Sequence, residues 1–582
     1  MDFIKQNKKD IFYIVLLFTI LFAIVIFRLP YFGDCLTDSG REFMFAEAMT
    51  DGKLLYRDLF NIFGPLSYQL NSLVFSIFGV SFNSLRIFGA INACFIFSLI
   101  YLILRLFTTH NKSFIITFSL MIFNLYCCSV GAFPSPYTYA MLYALEFFLF
   151  SLYFLLLTIK KENKKYIIPC WFFAGVSIAS KYEIIFYLVF LVFFTLLIVK
   201  PDRKTLLLSI ISFLSVPALC FSALFLQGLT IKEFLNQMHY VFKYASSDAL
   251  TQYYINDSGI YLNLKVFPER LALMLKQASF FIAVFIAYIV LFFKPVKNKK
   301  YNLIKIAILF AIISNFKPKM VNYGLFVFFT IPMLAICLYC WGKICYEVIK
   351  KIEFDKTFFL FLILLTSVCL ISTKTVFYLC IHSYGAFIFP LLFICLFIFI
   401  SEILPDELKL NKNLLTSAFI LTTLLSLFLF LECEPKYYAG SMKFFETPRG
   451  TIAYPPRRDA IADVLRYTLS YIGKDKTILF VPEGCILNFA TERKGSLFWY
   501  NSTSPYLEAF GDEKFINDIK SENFDYIVLS DHKTNFKTFD EYAPDVVKYI
   551  KNNYKPIQVF EDPTDCSKSE DDILVMTLYE RK

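Results

Sequence analysis

The chain has 582 residues, of which 57% are hydrophobic and only 18% are charged, and its formal net charge is +10. A water-soluble protein of this length cannot cover so much apolar surface, so an ordinary soluble globular enzyme is excluded. Residues 433–582 have a net charge of −4 and the preceding residues a net charge of +14, so the basic excess lies in the apolar part. This distribution indicates contact with a charged membrane surface and argues against binding of nucleic acid.

Apolar segments long enough to cross about 30 Å of hydrocarbon follow one another from residue 11 onward. We predict thirteen spans: 11–29, 83–105, 113–130, 137–159, 166–180, 183–199, 205–227, 272–293, 301–315, 321–342, 357–373, 382–402 and 414–431. Leaving out the two shortest would give eleven. Most short-loop Lys and Arg then fall on one side, which predicts a cytoplasmic N-terminus and a C-terminus outside.

The predicted fold class is therefore a membrane all-α helical bundle with a C-terminal soluble α/β domain. Residues 1–432 would form the polytopic transmembrane domain, with outer loops at 30–82 and 228–271. Residues 433–582 would form the extracytoplasmic domain. Helical periodicity over 459–472 and apolar strands at 477–482, 526–530 and 573–579 predict helices on a small sheet. This segment carries no G-x-G-x-x-G or P-loop, so a nucleotide-sugar donor is unsupported.

The first outer loop begins with the sequence LTDSGRE, in which Asp38 follows the outer end of the first span. An acidic side chain near membrane depth is costly to keep, so a functional role is expected for it. Ser39 and Glu42 have the S-x-x-E spacing of a capping box, in which Glu42 would bond back to the Ser39 backbone. Residues 66–79 are too short and too mixed to cross, and we predict a helix lying at the interface.

The stretch from residue 36 to residue 90 resembles the polytopic glycosyltransferases of superfamily C. The resemblance is carried by the acidic residue after the first span, by GKLLYRD (52–58), by GPLSYQL (64–70) and by SLRIF (84–88). The most similar branch is that of the bacterial relatives of protein O-mannosyltransferase and of lipid A aminoarabinose transferase. A multispan layout with an outside soluble tail is similar too.

The resemblance implies transfer of a sugar from a polyprenyl-phosphate carrier to a hydroxyl on the outer face of a bacterial cytoplasmic membrane. Asp38 would be the general base, and the acceptor would be a lipid, a glycan or a protein. The transition state would be oxocarbenium-like, as in glycoside hydrolysis. Because the leaving group is a phosphate, basic side chains must stabilise its charge.

Basic and polar residues on the outer side are the candidates for that task. The donor-phosphate candidates are Arg57, Lys181, Lys317, Lys319 and Lys374, and the other site candidates are Arg41, Glu42, His382 and Tyr384. Lys181 lies in the short turn ASKYE, which keeps its ammonium close to the bundle. Each cation could instead reach toward lipid headgroups as an end residue of a span.

Three features depart from the resembling family. Many relatives have Asp-Glu where this chain has Asp38-Ser39, and some carry a Lys before the proline where this chain has Gly64-Pro65. The loop GAFPSPYTY (131–139) lacks the acid that relatives often carry there. A two-carboxylate or metal-assisted mechanism is therefore doubtful: no metal ligands and no certain cofactor are predicted, and a divalent metal is left open. Two other functions stay open: a transporter or flippase of lipid-linked glycans, and a non-enzymatic membrane scaffold.

Overall fold

The fold is taken from a computed structural model of the full chain. The residues that it describes are 8–37, 39–126, 131–253, 286, 290–291, 301–305, 307–308, 330–353, 355–373, 384–434, 442–534, 537–563 and 573–582. The predicted span 272–293 lies almost wholly outside these residues, and about half of 301–315 does. Each of the other predicted spans coincides with a helix or with part of one.

The helices before residue 435 form an apolar bundle together with several short helices. They are α1 (Lys8–Arg28), α2 (Ser39–Thr50), α3 (Leu66–Phe78), α4 (Phe82–Arg105), α5 (His110–Tyr126), α6 (Tyr139–Lys160), α7 (Ile167–Ser180), α8 (Ile185–Phe194), α9 (Arg203–Leu226), α10 (Ile231–Ala245), α11 (Asp248–Tyr253), α12 (Thr330–Lys350), α13 (Lys356–Ile371), α14 (Gly385–Ile398), α15 (Leu404–Leu408) and α16 (Lys412–Glu434).

Seven helical segments among the described residues are long and apolar enough to cross a bilayer. They comprise α1, α4, α6, α8 with its flanking turns, α9, the part of α12 from Pro332, and α14 continued through α15; α13 and the first part of α16 are apolar but shorter. The protein is therefore an integral membrane protein with a mostly helical fold. The number of thirteen spans stays a prediction.

Small residues let the bundle helices approach each other closely. A Cβ atom on Gly175 of α7 would lie 2.1 Å from the carbonyl oxygen of Phe213 in α9, and a Cβ on Gly89 of α4 would lie 2.3 Å from that of Pro134. Close backbone approach at small residues is a usual way for membrane helices to pack. These contacts join α7 to α9 and α4 to the loop 131–138.

The region after residue 441 contains two sheets and several helices, where the sequence predicted one small sheet covered by helices. Its elements are β1 (Lys443–Thr447), β2 (Gly450–Tyr454), α17 (Asp459–Tyr471), β3 (Ile478–Val481), α18 (Cys485–Thr491), α19 (Ser504–Phe510), α20 (Asp512–Glu522), β4 (Tyr526–Ser530), α21 (Phe539–Tyr542), α22 (Pro544–Asn553), β5 (Tyr554–Glu561) and β6 (Val575–Arg581). β1 and β2 form an antiparallel hairpin. The larger sheet has the order β3-β4-β6-β5, in which β3 and β4 are parallel and the other pairs antiparallel.

The β1–β2 hairpin joins this C-terminal region to the start of α4. The backbone nitrogen of Phe82 donates to the carbonyl oxygen of Arg449 at 3.0 Å. Nη1 of Arg86, a buried side chain, donates to the carbonyl oxygen of Thr451 at 2.9 Å. The guanidinium of Arg449 pairs with Glu47 of α2. The C-terminal region therefore lies against the end of the bundle that carries α2 and α3.

Candidate active site

Asp38 lies outside the described residues, and the described residues on its two sides are joined by hydrogen bonds. Oδ1 of Asp34 accepts hydrogen bonds from the backbone nitrogens of Leu36 at 2.7 Å and Thr37 at 2.5 Å. The backbone nitrogen of Asp34 donates to Oγ of Ser39 at 3.0 Å. Side-chain bonds of this kind close a turn, so the neighbours of position 38 have fixed places.

Glu42 of α2 is a buried charge with four donors around it. Its Oε1 accepts from Nε and Nη2 of Arg41, at 3.1 and 2.9 Å, and from the hydroxyl of Tyr68 at 3.1 Å. Its Oε2 accepts from the backbone nitrogen of Tyr139 at 3.1 Å. Glu42 is 0% and Arg41 5% exposed, and charges so deep are kept only when they are paired and hydrogen-bonded.

These partners correct the capping-box interpretation of Glu42. The helix begins at Ser39, and the hydroxyl of Ser39 accepts from Asp34. The carboxylate of Glu42 turns inward, because an arginine, a phenol and a helix N-terminus converge on it from three different segments. A spacing rule considers only the local chain, so it could not include Tyr68 and Tyr139.

Arg41 extends this network into the C-terminal region. Its Nη1 donates to the hydroxyl of Tyr500 at 3.4 Å, and its Nη2 donates to the carbonyl oxygen of Tyr137 at 3.4 Å. The guanidinium carbon lies 4.9 Å from the ring centroid of Phe63 and 5.6 Å from that of Tyr500, within the range of cation–π attraction. Arg41 thus contacts the segment that precedes α3, the loop 131–138 and the C-terminal region.

Lys181 is the second buried cation of the cluster. It follows α7 in an extended conformation and is only 3% exposed. Its ammonium donates to the hydroxyl of Tyr137 at 3.4 Å and lies 3.6 Å from a carboxylate oxygen of Glu183. It also faces the rings of Phe63 at 4.9 Å and Tyr384 at 5.0 Å.

The two cations share one aromatic ring. Arg41 and Lys181 each lie 4.9 Å from the centroid of Phe63, so their charges are at most about 9.8 Å apart. Tyr384 completes the group by donating its hydroxyl to Glu183. Two buried donors at this separation can contact the oxygens of one phosphorylated ligand, which charge-assisted hydrogen bonds favour. We call Arg41, Phe63, Tyr137, Lys181 and Tyr384 the cation cluster.

A narrow apolar pocket opens beside Lys181. It occupies roughly 290 Å³, counting its open side. Its lining residues are Met141, Ala144, Leu145, Phe148, Lys181, Glu183, Ile184, Ile371 and Tyr384. Lys181, Glu183 and Tyr384 are the polar residues of this otherwise apolar lining.

The remaining candidates do not join the cation cluster in the described part of the chain. Arg57 forms a two-bond pair with Asp58, at 3.1 and 2.8 Å, and its side chain is 35% exposed. Lys317, Lys319, Lys374 and His382 lie outside the described residues. The described residues hold no group of three or more His, Cys, Asp or Glu that could bind a metal ion.

Several members of the site were not predicted from the sequence. They are Phe63, Tyr68, Tyr137, Glu183 and Tyr500. Tyr68 belongs to the GPLSYQL motif and Tyr137 to the loop GAFPSPYTY, so both lie in segments that are named above for their sequence. Tyr500 comes from the C-terminal region, and no local pattern relates it to Arg41.

Comparison with known proteins gives one sequence match. Residues 64–226, less than half of the chain, match the profile of the family described as dolichyl-phosphate-mannose-protein mannosyltransferase. The match contains Tyr68, Tyr137, Lys181 and Glu183. It confirms the predicted resemblance to the superfamily C membrane glycosyltransferases. No curated protein sequence matches the chain.

Two solved structures are among those that the chain resembles. The oligosaccharyltransferase of Archaeoglobus fulgidus, crystallised with zinc and sulfate, is 13% identical, with a TM-score of 0.48 over 94% of this chain and 71% of that one. ArnT of Cupriavidus metallidurans, bound to undecaprenyl phosphate, is 12% identical, with a TM-score of 0.43 over 97% and 98% of the two chains. At such scores neither likeness carries a functional argument.

Proposed function

We propose that this protein is a membrane glycosyltransferase that takes a sugar from a polyprenyl-phosphate carrier and transfers it to an acceptor hydroxyl outside the cytoplasmic membrane of a bacterium. Asp38 is the general base of the proposed reaction. The attacking acceptor oxygen forms a bond to the anomeric carbon, its proton passes to Asp38, and the bond from the anomeric carbon to the carrier phosphate breaks. The carrier leaves as polyprenyl phosphate.

The cation cluster is the observation that carries the proposal. A departing phosphate gains negative charge, and a water-poor site with fixed positive groups stabilises that charge strongly. Arg41 and Lys181 are buried and both lie 4.9 Å from the ring centroid of Phe63, and Lys181 borders a narrow, mainly apolar pocket. Arg41 is three residues from Asp38 in the chain, so base and phosphate-binding groups belong to adjoining positions.

Gly64, the residue before the proline of GPLSYQL, gives further support to Lys181 as a phosphate-binding residue. Gly64 donates its backbone nitrogen to the carbonyl oxygen of Ser180 at 3.0 Å, and a Cβ there would lie 2.0 Å from that of Ala179. A lysine side chain has no room at Gly64. Lys181 follows directly after this contact, so an ammonium group reaches the same neighbourhood from α7.

The proposed orientation places the cation cluster and the C-terminal region outside. At the other end of the bundle, Asp10 of α1 lies 3.0 Å from Arg105 of α4 and 2.9 Å from His110 of α5. Lys164 donates to the carbonyl oxygen of Lys200 at 2.8 Å. Basic residues gathered at one end of the bundle favour that end as the cytoplasmic one.

Turnover in proteoliposomes tests the proposal. Purified protein would be given synthetic polyprenyl phosphates linked to mannose, glucose or 4-amino-4-deoxyarabinose, with membrane extract as the source of acceptors. We expect mass spectrometry to detect protein-dependent release of polyprenyl phosphate from at least one donor. Unchanged donors throughout, together with flip of a fluorescent carrier lipid across the bilayer, would instead establish a transporter.

A further inference from the structure

Helix α10 follows a membrane-spanning helix after a tight turn. α9 ends at Leu226, and α10 begins at Ile231. Between them Gly228 has a φ of +106°, a left-handed value that glycine adopts readily. The backbone nitrogen of Leu229 donates to the carbonyl oxygen of Leu224 at 3.0 Å and closes the turn. The first residues of α10 therefore lie close to the surface of the membrane that α9 crosses.

Two short helices contact α9 at the same level. The ring centroid of Phe234 in α10 lies 5.6 Å from that of Phe221 in α9. Nε2 of Gln69 in α3 donates to the carbonyl oxygen of Cys220, the residue before Phe221, at 2.9 Å. Phe221 precedes the last residue of α9 by about 8 Å along the helix axis. Helices that lie in a membrane surface bury their apolar face to a similar depth, about 5–10 Å.

Gln237 fixes the rotation of α10 about its own axis. Its side chain is buried; Oε1 accepts from the backbone nitrogen of Asn61 at 3.1 Å, and Nε2 donates to the carbonyl oxygen of Leu59 at 3.0 Å. One turn further, the ring centroid of Tyr240 lies 4.5 Å from that of Phe510 in α19. One side of α10 is thus occupied by the segment before α3 and by the C-terminal region.

A row of exposed apolar side chains runs along another side of α10. Ile231, Leu235 and Phe242 are 68%, 60% and 74% exposed. Their spacing of four and seven residues places them on one face of an α-helix. Lys232 and Lys243, both exposed, each follow a member of the row and so lie about 100° further around the helix. We call Ile231, Leu235 and Phe242 the apolar row.

The length of the apolar row favours a helix that lies in the plane of the membrane. If α10 stood upright, Phe242 would lie about 16 Å further from the membrane than Ile231, and its ring would face water. A helix in the plane instead brings the whole row to the acyl chains and the neighbouring lysines to the phosphates of the headgroups. Leu219 and Leu226 of α9 are exposed too, so the row begins next to a lipid-facing surface.

We infer that α10 is an in-plane membrane helix whose apolar row inserts among the acyl chains of one leaflet. The partner of this surface is the phospholipid bilayer itself. Through its other side, α10 then anchors the segment before α3 and the C-terminal region to the membrane. The inference rests on the passage of α9 through the membrane and is independent of the proposed transfer.

Spin-label EPR on the full-length protein in nanodiscs of phosphatidylethanolamine and phosphatidylglycerol tests the inference. p-Acetylphenylalanine replaces Leu235, Phe242, Asn236 or Leu219 in turn and carries a nitroxide on its ketone, which leaves the 15 cysteines unlabelled. Molecular oxygen concentrates in the bilayer interior, whereas a polar nickel chelate stays in the water. Asn236, exposed on α10, is the water control, and Leu219 is the lipid reference.

We expect lipid contact at both labelled positions of the apolar row. The ratio of oxygen to nickel collisions at Leu235 and at Phe242 should exceed that at Asn236 at least about fivefold and resemble that at Leu219, because the row lies below the headgroups.

Three results would overturn the inference. Ratios at Leu235 and Phe242 equal to that at Asn236 would place the apolar row in water. Low collision rates with both reagents at both positions would show that protein covers the row, either another segment of this chain or a second copy. A lipid-like ratio at Leu235 with a water-like ratio at Phe242 would show that α10 rises out of the membrane plane.

Discussion

Gly40 of α2 packs directly against Ile486 at the start of α18. A Cβ on Gly40 would lie 2.4 Å from the backbone nitrogen of Ile486 and 2.5 Å from Sγ of Cys485. Phe43, one turn further along α2, packs against Phe489 with ring centroids 5.2 Å apart. The C-terminal region thus supports the helix that starts directly after position 38.

Gly40→Ala should separate these two elements. A methyl group forced against backbone costs typically 1–3 kcal/mol, because the helix or its neighbour must move. We expect a lower thermal unfolding temperature and a clear loss of carrier release, both measured on purified protein. Gly342→Ala is the control, since a Cβ at Gly342 of α12 meets no atom within 4 Å. Equal stability and activity in Gly40→Ala would show that the packing does not matter.

Glu42→Gln should destabilise the fold more than Glu47→Gln does. Glu42 is the buried partner of Arg41, and removing one member of such a pair costs about 3–5 kcal/mol. Glu47, also on α2, pairs with Arg449 at a site where both side chains are partly exposed, so its loss should cost about 0–1 kcal/mol. Denaturant unfolding measures both. The double variant Arg41→Met with Glu42→Gln should recover part of the loss, and failure to recover would contradict the pairing argument.

Lys181→Met should weaken binding of the donor phosphate, whereas Arg57→Met should not. Lys181 is buried beside the pocket, and a hydrogen bond to a charged group contributes about 1.5–3 kcal/mol. The KM for the donor should therefore rise at least about tenfold in Lys181→Met. Arg57 is already paired with Asp58 and is partly exposed, so its variant should stay within about twofold. Equal effects of both substitutions would contradict the assignment of the cation cluster.

Stability should fall in mild acid, partly because of His532. The pKa of His532 is lowered in the folded protein, chiefly by burial and then by Arg458, whereas the unfolded chain keeps the ordinary value of about 6.5. The unfolded state therefore binds more protons as the pH falls below that value, and the free energy of unfolding decreases. His532→Asn should flatten this dependence below about pH 6.5, and His239→Asn, at an exposed histidine of α10, should not. Identical pH profiles for wild type and His532→Asn would refute the link.

Hydropathy and local periodicity could predict much of the fold. Apolar segments chosen for the length needed to cross a bilayer match most bundle helices to within a few residues. The strand predicted at 526–530 coincides with β4. The hairpin β1–β2 was missed because KFFETPRGTIAY mixes charged residues with short apolar stretches. β5 was missed because its pattern of buried and exposed residues does not alternate regularly.

The site was harder to predict because its partners come from distant segments. Lys181 could be found, since a short outer turn must hold its ammonium near the bundle. The partners of Glu42 could not, because Tyr68 and Tyr139 reach it only through packing of α3 and α6 against α2. Rules applied to a single sequence use the neighbours of a residue along the chain and contain no information on its neighbours in space.

The most direct measurement compares carrier release by wild type and Asp38→Asn with the donor that the proteoliposome assay identifies. Asp51→Asn, at an exposed carboxylate just after α2, is the matched control. If Asp38 accepts the proton of the attacking hydroxyl, its amide variant should release polyprenyl phosphate about 10²- to 10⁴-fold more slowly, with donor binding and unfolding temperature unchanged. Release by Asp38→Asn at the rate of the wild type and of Asp51→Asn would contradict a role for Asp38 as the general base.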